Sequence, residues 1–433
     1  MKIAIAGYGL EGEENYKYWA AEGSHDITIV DEKEHPDRAI PEGVPTMLGA
    51  GVFERLQDFD LVIRTAGLSP FKIKTNGKIW SATNEFFEKS PAKIIGVTGT
   101  KGKGTTSSLI ASIFEAAGKK VWLVGNIGTS AIEALERIGS EDIVVFELSS
   151  FQLWDLERSP QTAVVLLIEP DHLNVHKDMD DYVNAKGHIR LHQTDGDICI
   201  YHPTNHYSHQ IATSNPHGQI LRYGIPDDGG VYERDGEFWQ KSEVICPTNL
   251  LQLIGAHNVE NACAAITVAR AHGLSIDAIE EGLKNFKGLP HRLEYVRKYN
   301  GVDYYNDSFS SAPPATVAAV KSFEQPEILI VGGVEKQGDF SILIDTLKTR
   351  SNIKEVILIG EARQRLFREM QAAGLATKLT MLDARTMQEI VNYAVQVATP
   401  GDAVILSPGT ASFDMFKDFY ERGTQFRDLV NAL

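Results

Sequence analysis

An α/β fold of parallel sheets in three domains is predicted for this chain, on three observations. Short apolar runs alternate with helix-like stretches, the pattern of strands joined by crossover helices. In the last third of the chain each run ends near Gly or Ser-Pro, as where parallel strands hand their loops to a ligand crevice. Two Gly-rich turns, at 7–12 and 99–104, each stand between a strand and a helix at the start of a block. A length of 433 residues leaves room for two to four domains.

The first block, 1–91, is Rossmann-like: a strand Lys2–Ala6, a glycine turn and a helix, then strands at 26–30 and 61–63 and a loop at 65–70. The second, 92–293, reads as a P-loop-type ATPase domain around a parallel sheet. Its strands are placed at 93–97, 121–124, 143–146 and 163–168, and its helices at 105–118 and 180–192. Residues 204–236 are rich in His, Asn, Gly and Asp and read as loop or β-rich. The third block, 294–433, is again Rossmann-like, with strands at 328–331, 356–359 and 403–406.

Bulk properties narrow the function. A formal charge of −16 disfavours nucleic acid as a partner, which needs a basic face. Cys199, Cys246 and Cys263 form no CxxC pair, so neither a zinc site nor a disulfide framework is indicated and a cytoplasmic location fits best. No apolar run of about 18 residues occurs, so no membrane span is expected. The N-terminal apolar run is too short for a signal peptide.

The strongest local signal is Gly99-Thr100-Lys101-Gly102-Lys103-Gly104-Thr105-Thr106. Glycines let backbone N–H groups approach phosphate oxygens, and the following helix adds its N-terminal partial charge. Lys103 is placed to reach the outer phosphates. Val97 stands where the usual spacing has Gly, and Gly104 follows the lysine, so Thr105 is the nearest hydroxyl for Mg²⁺. Gly7-Tyr8-Gly9-Leu10-Glu11-Gly12, with Asp31 beyond it, fits a dinucleotide fingerprint, but Glu11, Glu13 and Glu14 put negative charge near a pyrophosphate. The same loop suits the diphosphate of a UDP-sugar. Glu147, at a strand end beside the phosphate loop, is a natural hard-oxygen ligand for Mg²⁺. Asp171-His172 follows the next strand, and Lys186, by spacing alone, is a surface lysine.

Taken in order, these motifs resemble the Mur ligase family over essentially the whole chain, and within it the glutamate-adding branch. The match runs through the 99–103 loop, Gly125-Asn126-Ile127-Gly128, Glu147–Leu153, Asp171-His172 and Asn184-Ala185-Lys186. It continues through Gly255–Asn258 with Asn261, His291–Glu294, Asn306-Asp307-Ser308, 407–416 and Arg422-Gly423. The resemblance implies a monomeric enzyme whose ligands are small molecules. ATP phosphorylates the carboxylate of UDP-N-acetylmuramoyl-L-alanine, and the amino group of glutamate, D-glutamate first, attacks the acyl phosphate. It implies that 1–91 binds the UDP substrate through Gly9, Leu10, Asp31 and Gly67, helped by Asn126 and Ser149 of the central block. It implies that 92–293 binds ATP through Gly99–Thr106, Asn258 and Asn261, with Arg292 and Asp307 added. Two Mg²⁺ sites would use Thr105 and Glu147, and His172 with a carbamylated Lys186. Lys103, Glu147, His172 and Lys186 would be catalytic. Residues 294–433 would bind glutamate through Ser311, Lys336, Ser412 and Phe419.

One loop departs from the family. Where the branch continues Asn-Asp-Ser with Lys-Ala-Thr-Asn, this chain has Phe309-Ser310-Ser311-Ala312. The altered loop is similar to that of related ligases adding L-glutamate, which stands as the alternative substrate. Three other readings are a folylpolyglutamate synthase, which lacks the N-terminal domain, a non-catalytic UDP-sugar-binding protein, and an NAD oxidoreductase.

Overall fold

A computed structural model describes residues 1–226, 229–335 and 338–433. The chain forms two compact units. One comprises Met1–Leu251 with Val259–Phe286, the other Gln252–Asn258 with Lys287–Leu433.

The first unit holds two parallel sheets. The N-terminal one has five strands in the order Thr46–Leu48, Asp26–Asp31, Lys2–Ala6, Leu61–Arg64, Lys78–Ser81. The apolar alternation of Ile3, Ile5 and Ile29 faces Trp19 on one side, and Ala4, Ala6 and Val62 face Phe53 and Leu56 on the other. Lys2–Ala6 has partners to left and right, so the glycine turn after it lies at a topological switch point. The second sheet runs Gln219–Arg222, Ile198–Tyr201, Thr162–Val165, Lys93–Thr98, Ile143–Glu147, Val121–Gly125. Lys93–Thr98 is again the strand at which the order reverses, which puts the loop at 99–102 beside the ends of Ile143–Glu147 and Thr162–Val165. A three-stranded antiparallel sheet, Val231–Arg234, Glu237–Gln240 and Glu243–Pro247, completes the unit's strands among the described residues.

The second unit is one six-stranded sheet, Glu294–Tyr299, Val302–Asn306, Ala403–Leu406, Glu327–Gly332, Ile353–Ile359, Leu379–Met381. Only its first pair is antiparallel. Asn306 is in register with Leu406, and Leu406 with Ile330. The loops after these three strands therefore leave from one carboxyl edge.

The structure is α/β with parallel sheets, as predicted, and differs in detail. The apolar run 163–168 is not strand throughout. Beyond Val165 it leaves the sheet, and Leu166 N donates to Thr98 O (2.9 Å) while Leu167 O accepts from Thr100 N (2.9 Å). Its last turn thus holds the phosphate loop. Within 204–236 lies a helix, His206–Thr213, started by Asn205 accepting from Ser208 N (2.9 Å). Its residues carry only a weak apolar stripe, so local capping reveals it better than periodicity does. Three-residue strands such as Thr46–Leu48 are too short to show an alternation. Among the described residues no helix is long and apolar enough to cross a membrane.

One core group makes stability depend on pH. Glu327 is fully buried at a strand start, with Oε1 accepting from Asn352 Nδ2 (2.8 Å) and Arg350 (3.4 Å). Burial pushes its carboxyl up to about 7 from 4.5. The folded state then binds more protons than the unfolded one between those values, so stability falls as pH rises from about 4.5 to 7. Glu327→Gln should raise stability at pH 8 by on the order of 2–3 kcal/mol and flatten this slope. Denaturant unfolding of both proteins at pH 5 and pH 8 checks it; an equal loss in both proteins between the two pH values would refute it.

Candidate active site

The phosphate loop is shaped as its sequence demands. Gly102 caps the helix Lys103–Ala116 at φ 82°, and a Cβ there would lie 2.3 Å from Asn261 Oδ1. Only glycine satisfies both the left-handed backbone and that close approach. Asn261 also accepts from Thr106 Oγ1 (3.3 Å). Thr100 Oγ1 lies 3.0 Å from Glu169 O and 3.1 Å from Tyr182 Oη, and the exposed Lys101 pairs with Glu169 (3.3 Å). Thr105 is half-buried in the helix's first turn, while Gly104 and Thr106 are buried.

Lys103 Nζ curls back to donate to Gly99 O (3.1 Å) and Thr100 O (3.0 Å). Lys186 Nζ donates to the same Gly99 O (2.9 Å) and to Thr98 Oγ1 (3.4 Å). Lys186 is therefore no surface lysine: it is 1% exposed on the helix Met179–Leu191. Burial, then the Lys103 charge, hold its ammonium well below the usual lysine range, against the pull of Asp171 and Glu147. A shift in that direction favours the uncharged amine, which is the nucleophilic form of a lysine.

Glu147, the last residue of Ile143–Glu147, is 5% exposed, and its carbonyl accepts from Asn126 N (3.3 Å). Asn126 itself is exposed. Ser149 begins the short helix Ser150–Leu153 with a capping box to Gln152. His172 stands at φ 54°, a costly backbone for a non-glycine residue that recurs at functional sites. Its side chain is 47% exposed, with Nε2 3.5 Å from Asp171 Oδ2. Among the described residues no three His, Cys, Asp or Glu side chains converge as a ready-made metal cluster.

In the N-terminal sheet Gly9 caps the helix Leu10–Ala21, and Leu10 is 60% exposed. Asp31 closes the glycine turn by accepting from Tyr8 N (2.6 Å) and Lys33 N (2.8 Å). The carboxylate of Glu11 accepts from Ala66 N (2.8 Å), tying the helix start to the exposed Gly67 turn. Beneath that turn Arg64, fully buried, donates to Thr65 O, Ala66 O and Leu68 O and pairs with Asp155 (2.5 Å). Sequence reading missed Arg64; a charged residue ending an apolar strand was the available signal.

In the second unit Asn258 Nδ2 donates to Ile254 O (2.8 Å). The Arg292 guanidinium lies 3.8 Å over the Phe309 ring, whose edge meets Phe419 at 5.1 Å. Phe419 is the first residue of the helix Phe419–Asn431. Asp307 accepts from Ser310 Oγ (2.6 Å), Ser407 Oγ (2.7 Å) and Leu293 N (3.1 Å), and burial nevertheless pushes its carboxyl up to about 6. Asp307 thus knots together the loops after two strands. Arg422, 1% exposed, braces the same loops through Ser308 O (2.8 Å) and Thr410 O (3.2 Å). His291 packs so tightly on Gly423 that a Cβ there would sit 2.2 Å from Nδ1. Ser311 is exposed; Ser412 is 2% exposed, and its Oγ has no hydrogen-bond partner among the described residues. Lys336 lies outside the described residues.

Comparison with known proteins agrees along the chain. The family model of the Mur ligase middle domain matches residues 97–269, and that of the Mur ligase, glutamate ligase domain matches 291–409. A UDP-N-acetylmuramoylalanine--D-glutamate ligase of Clostridium kluyveri is 36% identical over 100% of this chain and 97% of its own length. The enzyme of that name from Acetivibrio thermocellus is 34% identical over 100% and 96%. Among solved structures, MurF from Acinetobacter baumannii superposes with a TM-score of 0.65 at 18% identity, covering 99% of this chain and 93% of its own. MurC from Thermotoga maritima gives 0.59 at 16%, covering 100% and 99%. Full-length identity above a third, together with both family models, shows that the chain belongs to the Mur ligase family, a family of ATP-dependent, ADP-forming ligases.

Proposed function

We propose that this enzyme joins D-glutamate to UDP-N-acetylmuramoyl-L-alanine through an acyl phosphate, using ATP. The observation that carries this is the convergence of Lys103 and Lys186 on Gly99 O beside the strand ending in Glu147. The relatives' printed names supply the substrates. Residues 1–91, 92–293 and 294–433 act as UDP-substrate, ATP and amino-acid domains of a cytoplasmic monomer.

Lys103 and the loop amides stabilise charge on the transferred phosphoryl group. Neutral Lys186 Nζ adds to the carbon of CO₂ and loses a proton, which makes an anionic carbamate where an ammonium would repel a cation. Mg²⁺ takes few protein carboxylates and completes its shell with phosphate oxygens. Glu147, the Thr105 hydroxyl, His172 and a Lys186 carbamate fit that demand without a preformed cluster. Held by these residues, Mg²⁺ would supply neutralisation of phosphate charge. Asn258, Asn261, Arg292 and Asp307 serve the nucleotide. Gly9, Leu10, Asp31, Gly67, Asn126 and Ser149 serve the UDP substrate. The orphaned Ser412 hydroxyl supports a polar ligand in the second unit, where Ser311, Lys336 and Phe419 complete the glutamate site.

The test is ATP-dependent phosphate release with UDP-N-acetylmuramoyl-L-alanine and each glutamate enantiomer in turn. Turnover with D-glutamate at least ten times that with L-glutamate is expected. The reverse preference would make the Phe309–Ala312 loop the determinant of chirality, and silence with both would refute the proposal.

A further inference from the structure

His176 belongs to no motif quoted above, yet both of its ring nitrogens are hydrogen-bonded and three aromatic rings pack against it. It is 2% exposed. Its ring stacks on Phe151 (5.4 Å between centroids, 6° between planes), tilts against Trp154 at 4.4 Å and meets Tyr182 at 5.2 Å. Nδ1 lies 3.0 Å from Asp181 Oδ2, and Nε2 lies 3.0 Å from Ser150 Oγ. A carboxylate only accepts, so Nδ1 carries the proton and Nε2 accepts from the Ser150 hydroxyl. Asp181 is itself fixed by donors from Trp154 Nε1 (3.2 Å) and Lys177 N (3.2 Å).

The three ends of this chain lie on three different segments. Ser150 is three residues past Glu147. Asp181 precedes Lys186 by five residues on the helix Met179–Leu191, about 7.5 Å along its axis. His176 closes the single turn that starts at His172, where Val175 N (2.9 Å) and His176 N (3.0 Å) both donate to His172 O. That turn must hold His172 at its positive φ, and the ring of His172 leans on the same Phe151 at 5.0 Å.

We propose that His176 is a positioning residue for the metal-binding side chains: the Asp181–His176–Ser150 hydrogen-bond chain pins together the segments carrying Glu147, His172 and Lys186. The inference rests on the reading that those three side chains hold Mg²⁺. Groups behind metal ligands that orient them change metal affinity about 10–100-fold when removed. His176 would act so through segments, touching no ligand by hydrogen bond.

The experiment measures Mn²⁺ binding by electron paramagnetic resonance, with a non-hydrolysable ATP analogue present, on the full-length protein. His176→Phe keeps the aromatic packing and removes both hydrogen bonds. Its Mn²⁺ affinity should fall at least tenfold, kcat should fall with it, and the KM for ATP should stay within threefold. His176→Asn, which restores a donor to Asp181, should recover part of the loss. A folded His176→Phe with Mn²⁺ affinity within twofold of the parent overturns the inference. If that variant fails to fold, Ser150→Ala decides: a threefold or greater weakening supports the pin, and unchanged binding overturns it. Glu147→Gln separates the two levels. Loss there but not in the His176 variant refutes the pin alone, whereas loss in neither refutes the metal reading and the pin with it.

Discussion

Replacing Lys103 with methionine is expected to lower kcat/KM for ATP by about 10²–10³-fold, the range seen when one preorganised group is removed from a developing charge. Methionine matches the length of the stem but carries no charge. The fold should tolerate it, because Nζ donates to carbonyls of its own loop, Gly99 O and Thr100 O, and the stem keeps its packing. The thermal midpoint should therefore stay within about 1 °C, the shift that about 1 kcal/mol produces in a protein of this size. Phosphate-release kinetics with a parallel melting curve checks both parts. Turnover within threefold of the parent would show that phosphoryl charge is stabilised elsewhere.

On the proposed carbamate role, Lys186→Ala should cost on the order of 100-fold or more in kcat, because it would remove an anionic oxygen ligand and leave a hole in a buried site. Added acetate or propionate should restore part of that activity, since a short carboxylate supplies the oxygen anion that the carbamate would. The parent protein should show a carbamate signal in ¹³C NMR after equilibration with labelled bicarbonate, and the variant should not. The physical basis is the buried position of Nζ and its like-charged neighbour Lys103, which together favour the uncharged amine. Full activity in the variant without added carboxylate would remove the carbamate role.

The two substitutions also test each other. Both Nζ atoms donate to Gly99 O, so removing the Lys103 charge should raise the pKa of Lys186 and weaken its carbamate signal at neutral pH. A signal unchanged in Lys103→Met would mean that burial alone keeps Lys186 neutral.

Much of the fold was legible because its signals are local. The glycine turns after Lys2–Ala6 and Lys93–Thr98 are backbone requirements, and Gly102 shows why: its left-handed φ and the nearness of Asn261 admit no side chain. The apolar runs before Glu147 and up to Leu406 announced strands, and a residue at the end of a parallel strand is already delivered to the binding edge. The candidate residues could be listed from such positions and from the order of motifs.

Burial and partnership were not legible, because they depend on what distant segments bring. Lys186 reads as a surface lysine from its helix, and only the packing of that helix against the strand at 93–98 makes it a buried amine. Asp307 reads as a site carboxylate, yet Ser407, a hundred residues away, helps knot it into the loops. His176 and Arg64 carry no motif, and their importance lies in hydrogen bonds reaching across 26 to 91 residues of chain. The sequence by itself determined the parallel α/β architecture, the phosphate loop and the family, since backbone conformation, periodicity and motif order are written in neighbouring residues. Only the tertiary structure decided which charges are dry and which loops are braced, because desolvation and hydrogen-bond geometry exist only once remote segments meet.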